Sequence, residues 1–178
     1  MKLKKTAYDL CIIAMMAAIL EVSKFALSFL ANIELVTFFV IMFALHFKNK
    51  IYAALPVFIV VEGLIYGFGD WWVMYIYSWP LLALAAQIMK RLHIGYPGFV
   101  ALSTAFGLMF GLLCSPIRFF IGLSSGGVMA GLNTMLSWWI SGIPYDILHG
   151  FGNFVIMLAL FIPMDKALAK LASKRPNV

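Results

Sequence analysis

The segment Ala7 to Leu30, AYDLCIIAMMAAILEVSKFALSFL, is long enough to cross a bilayer as a helix, which takes about 20 residues. At 100° per residue, Ala7, Cys11, Ala14 and Ala18 fall in one narrow line of small side chains. Such a line lets a second helix approach closely, the main route to helix association where lipid supplies no hydrophobic drive. Toward the other end and about a quarter turn away stand Glu21, Lys24 and Ser28. The first half reads as a coupling surface and the second as part of an outward-facing ligand site.

The rest of the chain repeats the apolar theme. Hydrophobic residues make up 64% of the 178 and charged residues 11%, more apolar surface than a soluble domain of this size hides, so the expectation is an integral membrane protein in one domain over residues 1–178. Further spans are predicted over Leu35 to Phe47, Ile51 to Tyr66, Trp71 to Met89, Gly98 to Ile117 and Ile143 to Ile162, the last with Pro144 in its first turn. Arg118 to Trp139 is too apolar for a plain loop and is expected to hold a short interfacial helix. The predicted fold is all-α: a compact bundle of six transmembrane helices with an additional short helix before the last span.

Charge sets the orientation. With the N-terminus cytoplasmic, Lys2, Lys4, Lys5, Lys48, Lys50, Lys90, Arg91, Lys166, Lys170, Lys174 and Arg175 fall inside, and only Lys24 and Arg118 remain outside. Both termini are therefore expected in the cytoplasm of a cell membrane, and the net charge of +6 reports topology rather than nucleic-acid binding. Cys11 and Cys114 sit inside apolar runs and read as small hydrophobes.

The predicted outer half gathers the chemistry. Glu34 lies in an outer turn, Glu62 near the end of the third span, and Trp71, Trp72, Tyr75 and Trp79 on the fourth. Arg118, Asn133, Trp138 and Trp139 lie in the long outer segment, and Asp146, His149 and Asn153 share one face of the sixth span. Ionisable groups inside membrane spans are costly and normally face a cavity or a partner. With aromatic walls they describe a small-molecule pocket. Lys24 has two candidate partners, Glu21 on its own helix and Glu62 across the bundle. Ser103, Gly107, Gly111 and Ser115 recur every four residues as an internal packing seam.

Gly122-Leu123-Ser124-Ser125-Gly126 matches a nucleophile-elbow pattern, with His149 and Asp146 available to complete a triad, but no strand precedes it as an elbow requires. An intramembrane serine hydrolase is thus the minor alternative, and a channel or scaffold a third. The chain has no Gly-rich phosphate loop and no metal-spaced His/Cys cluster; any transport energy must come from another protein.

Six spans in under two hundred residues, Ala14-x-x-x-Ala18, Glu34-Leu35-Val36-Thr37-Phe38, Glu62-Gly63-Leu64-Ile65-Tyr66-Gly67-Phe68-Gly69 and Gly142-Ile143-Pro144-Tyr145-Asp146-Ile147-Leu148-His149-Gly150 together resemble the substrate-binding S components of prokaryotic energy-coupling-factor vitamin transporters. The resemblance implies a non-enzymatic subunit that captures a vitamin and topples in the membrane to deliver it. It also implies a transmembrane coupling protein, docked at Ala14 and Ala18, and two cytoplasmic ATPases that use ATP. The pattern looks most like the cobalamin-specific branch; thiamine, pyridoxine-type compounds and riboflavin are the alternatives.

Overall fold

The computed structural model describes residues 2–173, with side chains from Thr6 onward, and every regular element among them is helical. In chain order these are α1 (Lys2–Ala26), α2 (Val36–Phe47), a 3-10 turn (Lys48–Lys50), α3 (Ile51–Tyr66), α4 (Asp70–Arg91), α5 (Tyr96–Leu108), α6 (Phe110–Cys114) and α7 (Pro116–Ser173). Three segments, Val36–Tyr66, Asp70–Arg91 and Pro116–Ser173, are long and apolar enough to cross a membrane, with Tyr96–Leu108 as a shorter apolar helix. Helix α1 has the length, at 25 residues, but carries Asp9, Glu21 and Lys24. These properties are those of an α-helical membrane protein.

Helix α2 is apolar on every side, and a helix of that kind is stable only when surrounded. It is the centre of the molecule: all its residues except Phe39 and His46 are buried. Its 12 residues give a length of about 18 Å at 1.5 Å per residue, short of the ~30 Å hydrocarbon thickness. The chain before it, residues 27–35, runs over the surface, exposed from Ser28 to Asn32 and half-buried from Ile33 to Leu35.

Side-chain contacts fix the helix directions. Asp9 meets Lys50 and Lys24 meets Glu62, so α1 and α3 run parallel. Tyr52 meets Gln87 and Trp72 meets the Ile59 carbonyl, so α4 runs against α3. Thr37 faces His149 and His46 faces Asp165, so α2 and the latter part of α7 run together. Lys48, Lys50, Lys90 and Arg91 consequently share one end of the bundle, while Lys24 and Arg118 stand at the other. The charge asymmetry expected from the sequence is present among the described side chains, which leave out those of Lys2, Lys4, Lys5, Lys174 and Arg175.

Two features depart from the expected spans. The fifth is broken at Met109 into α5 and α6. The segment after it does hold a short helix: α7 comprises two helices, over residues 116–125 and 128–173, that meet at a sharp kink at Gly126 and Gly127, where Gly127 has φ 76°. Pro144 lies inside α7 rather than in the first turn of a helix. Residues 96–125 and 128–173 thus pack as a long antiparallel hairpin whose small residues mesh. A Cβ on Gly107 would stand 2.7 Å from the Gly150 nitrogen, and one on Gly122 2.9 Å from the Gly131 Cα. The four-residue spacing from Ser103 to Gly111 is this internal seam.

Candidate functional site

Glu62 is buried completely, and Lys24 reaches it from α1 as an ion pair. Of the two candidate partners, the structure selects the carboxylate across the bundle; Glu21 Oε2 is buried with no hydrogen-bond partner. The Lys24 ammonium also donates to the Tyr75 hydroxyl at 3.2 Å and lies 5.2, 5.5 and 4.9 Å from the ring centroids of Tyr66, Trp71 and Tyr75. At such distances ring quadrupoles attract a cation, more strongly where water is excluded. Three rings and one carboxylate hold this charge inside an apolar bundle.

Beside this group opens a cavity of about 310 Å³, lined among others by Lys24, Ser28, Asn32, Glu34, Tyr66 and Tyr75. Its volume lies at the lower end of the roughly 300–1,000 Å³ usual for small-molecule sites. The connection from α1 to α2 forms one wall of it, with Asn32 in the left-handed region at φ 54°. Glu34 supplies a carboxylate whose Oε1 lies 3.5 Å from His149 Nε2, too long for a hydrogen bond, and makes none elsewhere. His149 is itself buried against the Phe110 ring, 5.1 Å between centroids, with Thr37 Oγ1 at 3.4 Å.

The remaining residues singled out in the sequence occupy other places. Trp79 is fully buried, packed between Tyr75, Phe106 and Phe110. Trp72 turns toward α3, its indole N–H donating to the Ile59 carbonyl at 2.7 Å. Asp146 accepts the Gly111 N–H at 2.9 Å; it caps α6, whose first N–H groups have no helical partner because the helix restarts there. Asn153 donates to the Ser103 carbonyl at 3.1 Å across the seam. Arg118 pairs with Asp70 at 2.7 Å and lies 5.3 Å from the Trp138 ring, tying the hairpin to the start of α4. Asn133 is exposed on the hairpin and Trp139 is half-buried there.

So the fold brings together Glu34, Glu62, Trp71 and Tyr75, with His149 behind Glu34. It uses Asp146, Asn153, Trp72 and Trp79 to hold helices to one another. The cavity adds Tyr66 and Asn32, which the sequence reading passed over. Tyr66 carried a signal, an aromatic residue ending a span that contains Glu62; Asn32 carried none beyond its turn-forming type.

The elbow pattern does not assemble a triad. Ser124 Oγ donates to the Ile121 carbonyl at 2.7 Å on the exposed hairpin, while Asp146 and His149 are buried with the separate partners given above. On α1, Ala7, Cys11, Ala14 and Ala18 are all exposed, so that line of small residues is not spent on packing within the bundle. No protein-family model, curated protein or solved structure matches the chain.

Proposed function

We propose that this protein is a membrane-embedded vitamin-binding subunit of the energy-coupling-factor type, with six spans and the basic end in the cytoplasm. The observation that carries the reading is the cavity between α1, α3 and α4, where Lys24, Glu34, Tyr66 and Tyr75 meet at the end opposite the basic residues. Paired charges beside aromatic walls in an otherwise apolar bundle are costly unless they serve a ligand or a pathway.

The exposed Ala14 and Ala18 give a coupling protein a surface for close helix approach. ATP hydrolysis belongs in this reading to two partner ATPases. The subunit delivers its ligand by reorienting in the membrane.

Cavity size bears on the ligand. A ring system on the scale of thiamine, a pyridoxine-type compound or riboflavin is comparable to about 310 Å³, whereas a corrinoid would extend out of the open mouth of the cavity. The Glu34 carboxylate, free of hydrogen bonds at Oε1, suits a ring bearing a positive charge or an N–H. We therefore place a small heteroaromatic vitamin ahead of cobalamin, which the sequence pattern resembles more.

The test is ligand identification by native mass spectrometry on the purified protein, then titration with thiamine, pyridoxine, riboflavin and cobalamin followed by tryptophan fluorescence. One compound should bind with Kd below about 1 μM, near −8 kcal/mol. Saturation by none of the four, together with no co-purified ligand, overturns the proposal.

A further inference from the structure

A second cavity, about 600 Å³, opens at the basic end and is independent of the vitamin reading. Lys48, Lys50, Lys90 and Arg91 line it with Phe47 and Gln87, and no acidic side chain among the described residues does. Two of these cations are engaged: Lys50 pairs with Asp9, and Lys90 donates to the Leu45 carbonyl near the end of α2. Lys48 and Arg91 are exposed, without an ion pair among the described residues.

A topology signal needs only positive charge near the membrane surface. It does not need a cavity, and it does not need Gln87. The Tyr52 hydroxyl donates to Gln87 Oε1 at 3.3 Å, which leaves Nε2 as the free end of the amide. That nitrogen is buried and has no hydrogen-bond partner among the described residues. Leaving such a donor unpaired costs about 1–3 kcal/mol. A buried N–H₂ donor in a cavity of surplus positive charge wants an oxyanion with several acceptor atoms.

We propose that this cavity binds a phosphate-bearing anion, with Lys48, Arg91 and the Gln87 amide as its ligands and Lys50 and Lys90 adding to the positive field. Ala44, Leu45 and Phe47 give the cavity an apolar wall, which suits an organic substituent on the phosphate. The shared chemistry has two sources: the headgroup of an anionic phospholipid, which basic pockets between spans recognise, or a soluble phosphate monoester.

The experiment uses the full chain in nanodiscs of phosphatidylcholine at fixed ionic strength, with dioctanoyl phosphatidic acid and glycerol 1-phosphate as probes. Binding is read by the shift in melting temperature. Wild-type protein should be stabilised by at least one probe. Gln87→Glu keeps the acceptor for Tyr52 but replaces the donors with a negative charge, and should bind at least ~10-fold more weakly, about 1.4 kcal/mol. Lys48→Ala/Arg91→Ala should lose as much, while Lys166→Ala/Lys170→Ala, outside the cavity, should match wild type. Each variant's own melting transition without probe reports that it is folded. Stabilisation by the lipid alone assigns a headgroup; stabilisation by glycerol 1-phosphate assigns a soluble ligand. If neither probe stabilises wild type, or if the Lys166/Lys170 control weakens as much as the cavity variants, the proposal fails.

Discussion

Lys24 and Glu62 stand 38 residues apart on parallel helices, and their ion pair joins α1 to α3 beside Tyr66 and Tyr75, the two aromatic residues lining the far-end cavity. Breaking a buried pair on one side strands the other charge. Lys24→Met should therefore destabilise the protein by about 3–5 kcal/mol, and Lys24→Met/Glu62→Gln should recover a large part of that loss. Thermal unfolding of both single variants and the double variant checks this; strictly additive losses would mean that the pair is not coupled.

Asp146 is a cap on a broken helix. Asp146→Ala leaves the buried Gly111 N–H unsatisfied and should cost about 1–3 kcal/mol, with Asp146→Asn, which retains an acceptor oxygen, costing less. Ligand affinity measured well below the melting temperature should change little. A selective loss of affinity without loss of stability would move Asp146 into the binding site.

Two glycines of the hairpin should respond in opposite directions. Gly107→Ala drives a methyl to 2.7 Å from backbone at Gly150, which cannot swing aside, and should cost roughly 1–3 kcal/mol. Gly142 is helical with nothing within 4 Å of an added Cβ, so Gly142→Ala should be neutral or stabilise by up to about 1 kcal/mol. Melting temperatures of the two variants in one detergent decide the matter.

Because Ala14 and Ala18 are exposed, Ala14→Trp and Ala18→Trp should leave stability within about 0.5 kcal/mol of wild type and leave ligand affinity intact. In cells carrying the coupling partners, uptake should fall sharply. Undiminished uptake by both variants would remove this surface from the transport reading.

Ser124→Ala should change neither uptake nor stability measurably, since its hydroxyl bonds only the Ile121 carbonyl one turn back on an exposed surface. Loss of a hydrolytic activity in this variant would revive the minor reading.

Much of this architecture is written in local composition. The apolar runs, the gathering of cations at one end and the four-residue rhythm of Ser103, Gly107 and Gly111 are properties of neighbours in the chain. Burial energy and charge hydration act on each segment separately, so they are legible without a fold. The apolar composition of α2 belongs here too, although lipid could equally cover such a helix and only the packing puts it at the centre of the bundle.

Partner choice is not local. The reading of residues left Lys24 between Glu21 and Glu62, and only the packing of α1 along α3 settled it. Asp146, His149 and Asn153 share a helix face, yet one caps α6, one stands behind Glu34 and one bridges to Ser103. Both cavities lie likewise where helix ends meet chain turns, at residues 27–34 and 48–50. Those depend on contacts between segments far apart in sequence, and no periodicity along the chain encodes such contacts.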